Sequence, residues 1–120
     1  MKLTNGEMNI YLNSLTTISS KVKGKLAYCV ARNIRKISNE LIEFERIKND
    51  YICEHGHEEN GSYVININTK EYADFLIFIK EYIEIEHDID IMLVESEEIY
   101  KSDLTGDEIL KLDFMIKEEE

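Results

Sequence analysis

The sequence predicts an α+β fold in which helices dominate: a single domain over residues 1–120, built on a long central amphipathic helix with a small antiparallel sheet of two or three strands. Three observations predict it. Over residues 24–55, Leu26, Val30, Ile34, Ile37, Leu41, Phe44, Tyr51 and Ile52 recur on one side of a helical wheel, with Lys21, Lys25, Arg32, Arg35 and Lys36 opposite. Residues 62–68 and 85–94 instead alternate with period two. Two boxes, Thr4-Asn5-Gly6-Glu7 and Thr105-Gly106-Asp107-Glu108, have the spacing that starts a helix.

In chain order, Thr4 is placed to accept from the third helical N–H and Glu7 to reach back. Met8, Tyr11, Leu12, Leu15, Ile18 and Val22 follow at helical spacing, so a first helix is expected over residues 5–18. It ends in Thr16-Thr17-Ile18-Ser19-Ser20, whose β-branched and hydroxyl side chains propagate helix poorly. The stretch 24–55 then reads as one helix of about 30 residues, roughly 45 Å at 1.5 Å per residue. A rod that long obliges the other elements to pack along it. Residues 54–61 break the period, and Asn60-Gly61 favours positive φ and a tight turn. Tyr63, Ile65 and Ile67 then face away from Asn66 and Asn68, a strand over 62–68. Asn68 or Thr69 caps a helix with Tyr72, Phe75, Leu76, Ile79 and Ile83 on its apolar face. Past it, Ile83, Ile85, Ile89, Ile91 and Leu93 take one parity and Glu84, Glu86, Asp88 and Asp90 the other, so a strand over 85–94 should turn its apolar face to the core. Its minimum pairing is with 62–68, and Leu3 offers a third strand. Residues 96–101 read as a polar loop. A short last helix carries Ile109, Leu112 and Ile116, and residues 118–120 form a solvated tail.

Composition narrows the function classes. Apolar residues make up 43% of the chain, enough for a core, and no run approaches the roughly 18–20 apolar residues of a membrane span. Residues 1–7 lack the apolar core of a signal peptide, so a soluble cytoplasmic protein without membrane contact is expected. Cys29 and Cys53 stand 24 positions apart on the expected helix. That is roughly 36 Å, whereas a disulfide needs its Cα atoms within about 7 Å, and free thiols suit a reducing compartment. Residues 1–60 carry nine bases and eight acids, net +1, which leaves −12 of the total −11 on residues 61–120. Phosphate repulsion from that half disfavours direct binding to nucleic acid.

Four constellations carry candidate chemistry. Glu84, Glu86, Asp88 and Asp90 form an acidic ladder with rungs about 6.6–6.8 Å apart, close to the spacing of successive phosphates. With Glu81, Glu95, Glu97, Glu98, Asp103 and Asp107 it either presents a phosphate-like surface to a protein that grips nucleic acid, or is the wet face of a strand whose charge deters edge pairing. Lys21, Lys23, Lys25, Arg32, Arg35 and Lys36, with Tyr28 beside them, either receive an anionic ligand, meet the acidic half of a second copy in a homo-oligomer, or form a solvated helix face. Cys53, His55 and His57 with Glu58 and Glu59 are zinc-ligand types, but their spacing matches no closed site and a fourth ligand such as His87 must come from elsewhere, so no metal is expected. There is no Gly-rich phosphate loop, nucleophile motif or HExxH spacing, and neither catalysis nor a cofactor is expected.

Several of these residues carry a family resemblance. Leu3-Thr4-Asn5-Gly6-Glu7, Val22-Lys23, Tyr28, Ala31-Arg32-Asn33, Ile34, Lys36-Ile37, Glu40-Leu41 and the run from Thr105-Gly106-Asp107-Glu108 to Leu112 and Phe114-Met115-Ile116 resemble a family of small phage and prophage proteins of Gram-positive bacteria, a domain of unknown function, over nearly the whole chain. That family often has a proline before the Val-Lys step, which this chain lacks, so the junction between its helices is left open. The resemblance implies a phage source and no catalytic residues. By analogy, small acidic phage proteins without catalytic motifs act by stoichiometric binding to a host or defence protein. The expected function is therefore a phage-encoded, non-enzymatic binding protein that inhibits a host nucleic-acid-handling or defence protein through the acidic ladder. The alternatives are a self-associating virion structural or assembly accessory, and a sponge for an anionic signalling nucleotide on Lys23, Lys25, Tyr28 and Arg32. Rod lysines that neutralised the ladder within one subunit would remove the exposed negative pole.

Overall fold

Thr4 starts the first helix as its spacing requires. Its Oγ1 accepts from the Glu7 N–H at 3.0 Å and Glu7 Oε1 accepts from the Thr4 N–H at 2.9 Å, so α1 runs Asn5–Ile18 directly after a short strand, β1, Lys2–Thr4. The computed structural model describes residues 1–118. Glu119 and Glu120 of the expected tail lie outside the described residues. The fold is 64% helical with two small antiparallel two-stranded sheets, the helix-dominated α+β class that the sequence predicts.

The long rod is two helices, α2 over Gly24–Glu40 and α3 over Ile42–His55. Leu41 separates them at φ −86° and ψ −3°. Backbone bonds from Leu41 N to Ile37 O (3.0 Å) and from Glu45 N to Leu41 O (2.9 Å) keep the interruption to a single-residue kink. Ser38 and Asn39, weak helix formers, precede it. Because Leu41 and Phe44 are both buried, the apolar stripe stays in phase through the kink, and periodicity alone does not reveal it.

Strand pairing also differs from expectation. The strand at 62–68 is shorter, β3 over Ser62–Val64, and pairs with β2, His57–Glu59, as a hairpin with His57 opposite Val64. Asn60 (φ 51°) and Gly61 (φ 83°) both take the positive φ that a two-residue hairpin turn requires, so the strand folds back on its immediate predecessor. The later strand contracts to β4, Glu86–Asp88, and its partner is β1, with Lys2 opposite Asp88, Leu3 opposite His87 and Thr4 opposite Glu86. Between them α4 runs Lys70–Ile83, capped by Thr69, whose Oγ1 accepts from Tyr72 N at 3.2 Å. Its packed face is Phe75, Phe78, Ile79 and Tyr82, while Leu76 and Ile83 are exposed.

Beyond Asp88 the chain leaves the ladder and runs beside α2, where side chains replace a partner strand. Asn33 Nδ2 donates to Met92 O (3.0 Å) and Asn33 Oδ1 accepts from Met92 N (2.8 Å), while Lys36 Nζ donates to Asp90 O (2.8 Å). Val94 then forms a parallel bridge with Ile116. Residues expected to be loop form α5, Ser96–Tyr100, because Ile99 is buried. The second capping box opens α6, Gly106–Lys111, and a 3-10 turn at Asp113–Met115 seats Met115 in the core. That core gathers α1, α2, β1, the 89–94 segment and the C-terminal turns. From residues 42–83 only Phe44 and Ile79 are buried in it.

Candidate functional site

The acidic ladder is not one straight array. Glu84 caps α4 in the helical region (φ −85°), Glu86 and Asp88 share the exposed face of β4, and Asp90 lies past the strand. Asp88 Oδ1 is 3.3 Å from the α-amino group of Met1, and Asp90 Oδ2 is 3.8 Å from Lys36 Nζ. Two rungs thus have cations within the subunit. Glu84 and Glu86 are exposed and make no ion pair among the described residues.

The basic ridge is divided in the same way. Lys21 Nζ donates to Glu108 Oε2 at 2.6 Å, tying the 3-10 turn at Ser19–Lys21, between α1 and α2, to α6, and Lys36 is held by Asp90. Arg32 is half-buried, and its Nε is buried without a partner. Lys23, Lys25, Tyr28 and Arg35 are exposed. Where α2 begins, Lys21, Lys23 and Lys101 border a cavity of about 290 Å³, but Glu98 and Asp103 border it too, so its charge is mixed. Cys29 is buried, and desolvation, helped by the Glu98 carboxylate, raises the pKa of its thiol.

The zinc-ligand types are dispersed. Cys53 is exposed, His55 packs on Tyr51 at 4.2 Å, and His57 lies 3.6 Å from Glu59. His87 is on the other sheet. Among the described residues no group of three or more His, Cys, Asp or Glu is placed to hold a metal ion.

A site absent from the sequence reading forms where β1–α1, the end of α2 and β4 meet. Asn5, the first residue of α1, is 3% exposed. Its N–H donates to Ile85 O (3.0 Å) and its Nδ2 to Tyr82 O (2.7 Å), which fixes the amide and leaves Oδ1 without a partner. His87 is the inward residue of β4, opposite buried Leu3, and alternation turns its ring to the end of α2, where Nδ1 is 3.3 Å from Glu40 Oε2. Its Nε2 is buried without a partner. Asn5, Glu40 and His87 line one cavity of about 110 Å³ with Glu43, Phe44 and Tyr82. Ile47 and Ile85 complete its lining, which is largely apolar. His87 was legible as a histidine on the apolar parity of its strand. Asn5 was not, since it stands inside a capping box as an ordinary first-turn residue.

No protein family, curated protein or solved structure matches this chain.

Proposed function

We propose that this chain is a non-enzymatic binding protein that offers an acidic, phosphate-like surface to a basic partner. On the resemblance to phage and prophage proteins, we read it as phage-encoded and as an inhibitor of a nucleic-acid-handling or defence protein in the host cytoplasm. The observation that carries the reading is the pair Glu84 and Glu86, both exposed at the junction of α4 and β4 and neither matched by a cation among the described residues. They belong to the half of the chain that holds −12, a field that steers a basic partner in and repels nucleic acid. Asp88 and Asp90 contribute less, because the Met1 amino group and Lys36 already face them.

The test is retention of a protein from host lysate on immobilised chain. A partner held through this surface is released between about 50 and 500 mM salt, is displaced by heparin, and is lost with Glu84→Ser/Glu86→Ser. Retention that survives both high salt and the double substitution overturns the reading.

Self-association is the second reading, favoured by Lys23, Lys25 and Arg35, which are exposed and make no ion pair among the described residues. Sedimentation that shows a salt-sensitive dimer, dissolved by Lys23→Glu/Lys25→Glu, supports it.

A further inference from the structure

We propose that the outward face of α4 is a self-association surface, on which a second copy of this chain docks antiparallel about a two-fold axis at Ile77. The inference goes beyond the acidic-surface reading. Leu76, Ile77 and Ile83 are 47%, 73% and 37% exposed. With Ala73, also exposed, they recur at helical spacing, while Phe75, Phe78, Ile79 and Tyr82 pack inward. The helix is therefore apolar on two faces, and the fold of one subunit uses only one of them. Ile10 of α1, 64% exposed, extends the patch. It stands one turn beyond Gly6, where an added Cβ would meet Ile83 at 2.9 Å. Large apolar side chains left in water on a helix already packed through its other side mark an interaction surface.

Charge order along α4 selects a second copy as the occupant. Lys70 and Glu84 stand seven residues before and after Ile77, on the same side of the helix because seven residues are close to two turns. Across a two-fold axis at Ile77, Lys70 of one copy falls level with Glu84 of the other, about 10.5 Å from the axis, and the symmetry repeats the pair. The same axis brings Asp74 level with Lys80. Glu71 and Glu81, the remaining charges of the helix, fall level with Ile83 and Ala73, so no two like charges meet. Among the described residues, Lys70, Asp74, Lys80 and Glu84 make no ion pair within the subunit and are free to make one across the seam. Packed helices lie about 8–10 Å apart, a gap that lysine and glutamate side chains span. A foreign partner would have to carry the reverse of this charge order, whereas a second α4 turned end for end carries it by symmetry. One helix of 14 residues is about 21 Å long, a small contact beside the roughly 1,200 Å² of a standard interface, so the dimer is expected to be weak and concentration-dependent. Glu84 belongs to both surfaces, so a basic partner that takes it competes with the second copy, while Glu86 on β4 lies outside the seam.

The test is sedimentation equilibrium of the purified full chain between about 10 μM and 1 mM. A monomer–dimer equilibrium is expected, and Ile77→Glu should remove it by setting two carboxylates together on the axis. Lys70→Glu and Glu84→Lys should each weaken the dimer about ten-fold, because like charges then fall level at both ends of the seam. Mixed in equal amounts, these two variants should associate as a heterodimer, and Lys70→Glu/Glu84→Lys in one chain should regain wild-type association. Both substitutions suit the helix, with an acid in its first turn and a base at its C-cap, and circular dichroism checks that helix content is kept. The apolar seam should hold the dimer in about 500 mM salt and with Lys23→Glu/Lys25→Glu, which separates it from association through the basic ridge. A chain that stays monomeric throughout, a dimer that Ile77→Glu leaves intact, or charge variants that fail to complement one another overturns the proposal. No lysate partner enters this measurement, so its failure and failure of the acidic surface are read separately.

Discussion

Asn33 does on a helix what a neighbouring strand does in a sheet. It is fully buried, and its amide satisfies both backbone groups of Met92. Asn33→Leu would strand that N–H and C=O away from water, at about 1–3 kcal/mol each, so urea denaturation should show a loss of roughly 2–6 kcal/mol. The signal was present in the sequence: Asn33 falls in the buried stripe between Val30 and Ile37, a polar residue at a core position. Its partner, 59 positions away, was not legible. Glu108 makes the other residue-scale prediction. Its side chain is 12% exposed, and the hydrogen bond from Lys21, followed by the backbone N–H of Thr105, holds its pKa down to about 2 from an ordinary 4.5. A depressed carboxylate contributes stability that is fully present above the unfolded pKa and is lost as pH falls toward the folded one. Glu108→Gln should therefore lower the melting temperature above about pH 4.5, with the gap to wild type closing toward about pH 2 in thermal melts followed by circular dichroism.

Elements were legible where their cause is local. Both capping boxes close as their spacing requires, and α1 has its expected bounds, because the groups involved lie three or four positions apart. The kink at Leu41 escaped because an apolar stripe counts phase rather than continuity, and the Ser38-Asn39 pair was the only local sign of weakness. The hairpin was half legible. Asn60-Gly61 announced the turn, but His57–Glu59 carries no apolar alternation, having one imidazole and two carboxylates, so nothing marked it as a strand. Gly56, which leads into that strand, is required by close approach. A Cβ there would sit 2.5 Å from the backbone oxygens of both Ile52 and Val64. Because backbone cannot yield as a side-chain tip does, Gly56→Ala should push the hairpin off α3 and cost about 1–3 kcal/mol in chemical denaturation, with the amide shifts of residues 57–64 changing most.

At the scale of the whole molecule the chain is elongated, 49 × 30 × 22 Å, with a radius of gyration of 17.1 Å against about 13.6 Å for a compact chain of this length. The core accounts for this: it is dense at the α1–α2 end, whereas beyond the kink α3 and α4 meet mainly through half-buried aromatics, Tyr51 stacking on Phe78 at 4.3 Å. Charge follows its own division. Internal ion pairs take Lys21 and Lys36 out of the basic ridge and soften Asp88 and Asp90, which leaves Glu84 and Glu86 as the sharpest exposed negative feature of the ladder. Salt sensitivity of partner binding is expected at this scale, because exposed charges are screened beyond about 10 Å at 0.1 M salt. No helix among the described residues is long and apolar enough to cross a membrane.

By itself the sequence determined the helix-dominated α+β class, the start of the first and last helices and the lopsided charge. Those follow from counts and from residues within a turn or two of each other. The tertiary structure decided that β1 pairs with β4, that the rod is interrupted at Leu41 and that Asn5, Glu40 and His87 converge on one cavity. Such choices depend on which surfaces exclude water together, and those surfaces come from segments dozens of residues apart that no local period connects.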